Sequence, residues 1–287
     1  MPRFLRVGAP GKEKPAVLAA DNSIRDLSAH IPDLAGEHLA PNVLGVLARR
    51  DFLQLPQFDP KVRIGPCVAG TTNFIAIGLN YFDHAREVGA EPPAEPIIFN
   101  KAPSCIAGAD DDLVIPAGSQ TTDWEVELAV VVNRDCSEVS EEHALDFVAG
   151  YCICHDVSER KSQIERGGQW VKGKSFKTFG PLGPWLVTPK DAGNIHEARL
   201  WLDVNGERMQ DGNTRQMIFS VSEIVSYVSQ FMLLRAGNVI TTGTPKGVGL
   251  SRNPPRYLKA GDSVRASIDG LGVQEQRVVA HPSDAQP

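Results

Sequence analysis

Apolar and polar positions alternate most clearly over residues 122–132, TDWEVELAVVV. Trp124, Val126, Leu128 and Val130 fall on one side of a period of two. Asp123, Glu125 and Glu127 fall on the other, which predicts a strand. The run then turns apolar at successive positions from Leu128 to Val132, so burial on both faces is expected there. A second apolar segment, 149–157, is also strand-like and carries Asp156 near its end. An ionised acid on an apolar strand is costly unless something pairs with it. Two readings of Glu125 and Glu127 are open. They form the solvent face of a half-exposed strand, or they share a face about 7 Å apart along the strand and converge with Asp156. Three converging carboxylates repel one another, and a divalent cation resolves that. Oxygen-only ligation favours Mg²⁺, Mn²⁺ or Ca²⁺ over zinc.

The remaining pattern predicts many strands and few helices. Short strand-like runs at 4–7, 16–20 and 24–27 are followed by a helical stretch over 43–52 and a proline-punctuated linker over 55–60. Residues 1–60 read as a small N-terminal α/β domain and 61–287 as the main domain. There, strands are expected over 73–79, 97–100 and 113–115. One or two helical turns over 81–88 place His84 and Glu87 on one face. Prolines 92, 93 and 96 forbid a longer helix, so this segment reads as a lid. Ser140 is a candidate N-cap for a helix to about 147, and 158–166 reads as a polar helix ended by Gly167 and Gly168. Asn205-Gly206 predicts a hairpin between 199–204 and 207–209. Ser220 to Glu223 is a capping box for an amphipathic helix with Val221, Ile224, Val225, Val228, Phe231 and Met232 on its apolar face, stopped near Gly237. Strands follow over 238–242, 263–268 and 273–279. The elements predict a mainly β, mixed-sheet fold with peripheral helices.

Composition narrows the class. The chain has 287 residues, 42% hydrophobic and 22% charged, with a formal charge of −6. No basic cluster argues for nucleic acid or an anionic membrane surface, and no apolar run is long enough to span a bilayer. The N-terminus lacks the apolar core of a signal peptide, and the five cysteines read as buried free thiols, so a cytoplasmic protein is expected.

Three further motifs bear on chemistry. Residues 168–175, GQWVKGKS, match a phosphate-binding loop formally. That mechanism needs a preceding strand and a helix opening at the lysine, whereas a helical pattern precedes this one and Pro181 and Pro184 follow closely. What remains is Lys174 beside Gly173, able to approach something closely. His84 with Glu87 is either a surface pair or a base with its orienting carboxylate. The glycine-rich turn over 243–249 reads as a plain turn or as a presenter of backbone N–H groups and Thr244 to an anion.

Together, GLNYFDHARE (78–87), TDWEVELAVVV, HDVSER with Gln163, KGKSFKTFGPLGPW (172–185) and TGTPKGVG (242–249) resemble the fumarylacetoacetate hydrolase family in order and spacing. The N-terminal unit, QDGNTRQMIF (210–219) and NPPRYLKAGD (253–262) are similar to a narrower group. That group is the bacterial 2,4-diketo-3-deoxy-L-rhamnonate or -fuconate hydrolases of sugar acid degradation. The resemblance implies a rolled, β-rich catalytic domain and a homodimer. It implies Mg²⁺ or Mn²⁺ held by Glu125, Glu127 and Asp156, and a His84–Glu87 dyad on a lid. Lys174 matches the active-site lysine, and Tyr81, Arg160, Gln163 and Thr244 fall at substrate-binding positions.

The implied reaction is metal-dependent hydrolysis of a C–C bond in a 2,4-diketo acid, giving pyruvate and a carboxylic acid. The same scaffold in relatives also decarboxylates oxaloacetate and isomerises hydroxy-dienoates. Three departures stand out. The segment 70–82 holds no acid, so the fourth carboxylate ligand of some relatives is missing. His155 stands where the family usually has Asn, and Lys177 where most relatives have Asp.

Overall fold

A computed structural model describes residues 1–284. Among them, a long mixed sheet runs in the order Ile24–Asp26, Lys14–Leu18, Arg3–Val7, Gly180–Val187, Val148–His155, Val126–Val132, Val239–Thr241, Phe74–Gly78, Ile97–Lys101. All pairs along this path are antiparallel except Val239–Thr241 with Phe74–Gly78. A second sheet carries the hairpin Arg199–Val204 and Glu207–Asn213, then Ser263–Ile268, Gly272–Val279 and Leu113–Val114. The fold is mainly β with short peripheral helices, as the strand-rich pattern predicts. Among the described residues no helix is long and apolar enough to cross a membrane.

Packing explains the central strand. Leu128, Ala129, Val130, Val131 and Val132 are all fully buried, so both faces of this strand lie in the core. The strands of the N-terminal segment continue this sheet through Phe4 opposite Leu186. That junction uses Gly180–Val187, a strand that is not among those expected from the sequence. Its ladder to Val148–His155 shifts register between Tyr151 and Ile153, and Pro184 falls in the irregular stretch, where no ladder donor is required.

Four boundaries differ from expectation. The run 122–132 is two strands, not one: Thr122–Asp123 pairs with Ser158–Glu159 in a separate ribbon, and Val126–Val132 belongs to the long sheet. The expected polar helix over 158–166 therefore begins as a strand and continues as a π-helix, Lys161–Glu165. Glu159 anchors that strand by accepting hydrogen bonds from Ser119, Thr121 and Thr122. The capping-box helix forms with both reciprocal bonds, but ends at Ser229 rather than near Gly237. Beyond it Leu234 exchanges backbone bonds with Cys136, a tertiary pairing that takes the place of further helical turns and leaves Phe231 exposed. The helical stretch near 43–52 splits into Pro41–Leu47 and a 3₁₀ turn, Phe52–Gln54. Ser140 occupies its N-cap position without a side-chain bond.

Candidate active site

Antiparallel register brings the acids together. Cys154 stands opposite Glu127 and His155 opposite Val126, and the Asp156 N–H donates to the Glu125 carbonyl at 2.9 Å. Residues facing each other across a ladder share a face, so Asp156 joins Glu125 and Glu127. All three are buried, and one oxygen from each lies within 4.8 Å of the others. The break at Trp124–Glu125 pins this corner, with the Trp124 indole N–H donating to the Gly247 carbonyl at 3.0 Å. The solvent-face reading of Glu125 and Glu127 is thereby excluded.

Cations surround the cluster. Lys174 Nζ donates to Glu125 Oε2 at 2.6 Å and to Asp156 Oδ2 at 2.7 Å. It gets there because the short helix Val171–Lys174 presses onto the π-helix at Gly173: a Cβ at 173 would lie 2.5 Å from the Glu159 carbonyl and 2.6 Å from Gln163 Cβ. Lys174 ends this helix rather than opening one, and no strand leads into the loop, so GQWVKGKS lacks the phosphate-loop architecture. Arg160 is held by Asp123 at 2.8 Å, Glu125 at 2.7 Å and the Gln163 side-chain carbonyl at 3.0 Å. Burial pulls its guanidinium pKa down, but Asp123 and then Glu125 outweigh that and hold it above the ordinary value.

Lys101 is the residue the sequence reading missed. Its ammonium is fully buried, donating at 2.5 Å to Asp156 Oδ1 and to the Lys174 carbonyl. Burial pulls its pKa down, but Asp156, with Cys105 and Cys154, outweighs that and holds it above the ordinary value. The signal available was a lysine in register with Ile97 and Phe99 at the end of an apolar strand.

Charge is short by one cation. Asp123, Glu125, Glu127 and Asp156 face Lys101, Lys174 and Arg160. Glu127 is the acid without a cationic partner among the described residues; its Oε2 accepts from Thr241 at 2.5 Å and from the Gly243 N–H at 2.9 Å. Burial, then Asp156 and Glu125, push Glu127 up to about 8. Burial would also raise Glu125, but Lys174 and Arg160 hold it at about 2. A divalent cation supplies the missing charge, and an all-carboxylate set suits Mg²⁺ or Mn²⁺. The residues present therefore fit the metal implied by the sequence.

The lid is docked. His84, on the helix Phe82–Glu87, has Nδ1 at 2.9 Å from Glu87 Oε2, and Glu87 Oε1 accepts from the Gly247 N–H at 2.8 Å. A carboxylate only accepts, so Nδ1 carries the hydrogen, which in the neutral imidazole leaves Nε2 as the acceptor. Thr244 donates to the Val126 carbonyl at 2.9 Å and accepts from Gln210 at 2.8 Å. His84, Glu125, Glu127, Arg160, Gln163, Lys174 and Thr244 line one cavity of about 150 Å³. Tyr81 does not line it; its side chain is wholly buried, where burial first and then Glu127 raise the phenol pKa well above normal. The two basic departures also lie off the cavity wall. His155 is buried against Gln276, 3.0 Å away, with its pKa lowered to about 4 by burial. Lys177 is exposed and lines a separate surface groove.

Comparison with known proteins agrees with this architecture. Residues 73–279 match the family described as fumarylacetoacetate (FAA) hydrolase C-terminal. A Burkholderia multivorans protein, whose name goes no further than a tentative hydrolase, is 54% identical over 96% of this chain and 98% of its own length. The solved fumarylacetoacetate hydrolase of psychrophilic Exiguobacterium antarcticum is similar with a TM-score of 0.86 and 34% identity, covering 98% of this chain and 100% of that one. The maleylpyruvate hydrolase of Sphingobium sp. SYK-6, solved with manganese(II) and pyruvate, has a TM-score of 0.80 and 25% identity over 97% of this chain and 99% of that one.

Proposed function

Because this chain belongs to the fumarylacetoacetate hydrolase family, we propose that it hydrolyses a C–C bond in an acylpyruvate-type 2,4-diketo acid, using Mg²⁺ or Mn²⁺. The observation that carries this reading is the buried Glu125, Glu127 and Asp156 cluster, two of whose acids, Glu125 and Glu127, line the same cavity as the oriented His84. When bound there, the cation supplies Lewis acidity toward the keto acid oxygens. That the Sphingobium enzyme was solved with manganese(II) and pyruvate supports both the metal and the product.

The side chains divide the remaining work. Arg160, Gln163 and Thr244 bind and orient the keto acid end. His84 Nε2 accepts a proton from water, and Glu87, bonded to Nδ1, stabilises the imidazolium. The hydroxide so formed attacks the acyl carbonyl carbon, and the bond from that carbon to the pyruvyl methylene breaks. Its electron pair passes to the pyruvyl unit as an enolate, which the Lys174 ammonium stabilises by charge. The proton held on His84 returns to the methylene carbon, so acylpyruvate and water give pyruvate and a carboxylic acid. A docked base favours hydrolysis over decarboxylation, which needs no positioned water.

The test is pyruvate release from acetylpyruvate with Mn²⁺ or with EDTA, for wild type and His84→Ala. Metal-dependent release that the substitution abolishes is expected. Metal-dependent loss of CO₂ from oxaloacetate that survives His84→Ala, with no release from acetylpyruvate, overturns the hydrolase reading in favour of decarboxylation.

A further inference from the structure

The cavity has two chemically different ends, separated by burial. Its charged and polar lining residues, from Glu125 and Glu127 to Arg160, Gln163, Lys174 and Thr244, are all buried. Its half-buried and exposed side chains form a collar of Leu79, Val88, Phe99, Ile164, Trp170 and Leu250, beside Gly78. Val88 is 41% exposed on the lid side, and Ile164 is 52% exposed on the π-helix.

The collar is built rather than incidental. Phe99 and Trp170 meet edge to face with ring centroids 5.2 Å apart, and Lys174 Nζ lies 5.3 Å from the Phe99 ring centre. The aromatic wall thus runs from the charged floor outward. Trp170 lies against Gly78, where a Cβ would be 2.5 Å from its Cζ3, so any larger residue at 78 would push the indole away. Leu79 is held at φ 52°, in the left-handed region that β-branched residues avoid.

Resting on the hydrolase reading, we infer that the acyl end of the substrate is apolar, an alkyl or aryl group seated in this collar. A polyhydroxylated sugar-acid chain does not fit it. The polar lining lies buried at the floor, where Arg160 bonds Asp123, Glu125 and Gln163 and the Thr244 hydroxyl donates to Val126 and accepts from Gln210, whereas the collar offers no charged, hydroxyl or amide side chain. Hydroxyls carried into the collar would lose water without gaining partners, whereas an apolar group gains from burial. The narrower sugar-acid resemblance rests on other segments, not on these six residues.

Binding to the Mn²⁺-loaded protein tests this apart from turnover. Isothermal titration is made with oxamate, N-phenyloxamate and N-(2,3-dihydroxypropyl)oxamate. Burying half a phenyl ring is expected to make N-phenyloxamate at least about tenfold tighter than oxamate, with no gain for the dihydroxypropyl compound. Ile164→Asn and Val88→Thr are expected to shrink the phenyl advantage. A dihydroxypropyl advantage, or none for phenyl, overturns the inference. If acetylpyruvate is hydrolysed while the phenyl advantage is missing, only the apolar subsite falls. A phenyl advantage without hydrolysis of any acylpyruvate keeps the subsite and sinks the hydrolase reading.

Discussion

Metal binding should expel a proton from Glu127, and the amount follows from its surroundings. Burial and two neighbouring carboxylates hold its proton up to about 8 in the metal-free protein. At pH 7 about nine-tenths of the molecules then carry that proton, and at pH 9 about one-tenth. A carboxylate must lose it to ligate, so apparent metal affinity should weaken about tenfold, or about 1.4 kcal/mol, for each pH unit below about 8. Titrating Mn²⁺ calorimetrically in buffers of different ionisation enthalpy counts the protons directly. Close to one released proton is expected at pH 7, declining towards zero at pH 9. The sign for stability follows from the same shift. Folded Glu127 binds its proton more tightly than the unfolded chain does, so the metal-free protein should lose stability as pH rises from about 4.5 to about 8. Metal-loaded protein should show much less of that slope in its melting temperature. A proton count near zero at pH 7, or one independent of pH, would refute this electrostatic account of the cluster.

Other perturbations separate the parts of the site. Lys101→Met leaves Asp156 without one of its two buried cations and should destabilise the metal-free protein by about 3–5 kcal/mol in urea unfolding, with partial recovery on adding Mn²⁺. Glu87→Gln removes the charge that stabilises the His84 imidazolium while keeping an acceptor for the Gly247 N–H. The expectation is a kcat loss of about 10²-fold with little change in KM and an altered pH profile. Gly173→Ala drives a methyl into the Glu159 carbonyl and Gln163. A loss of about 1–3 kcal/mol in thermal unfolding is expected, and pyruvate release should fall with it as Lys174 moves. Wild-type activity and stability in this variant would refute the role given to that close approach.

Much of this was legible in the sequence because it rests on local rules. Period-two alternation pointed to the strand that carries Glu127, an apolar run to the strand that ends just before Asp156, Asn205-Gly206 to the hairpin, and Ser220 with Glu223 to the reciprocal cap, since each depends on neighbours in the chain. Family-like spacing marked Glu125, Glu127, Asp156, His84 and Lys174 as candidates, and all of these line the cavity or join the cluster. Tertiary structure decided what local pattern could not. The break at Trp124–Glu125, the strand at Ser158–Glu159 and the early end of the capped helix each follow from pairing with segments far along the chain. Lys101 lies just past the strand expected over 97–100, and only the fold sets its ammonium against Asp156, 55 residues away. The same is true of Tyr81 and Lys177, whose motif positions said nothing about which side of the wall they occupy. Periodicity fixes which face a side chain takes, but the partner across that face is set by long-range packing, and in a buried charge cluster the partner determines the chemistry.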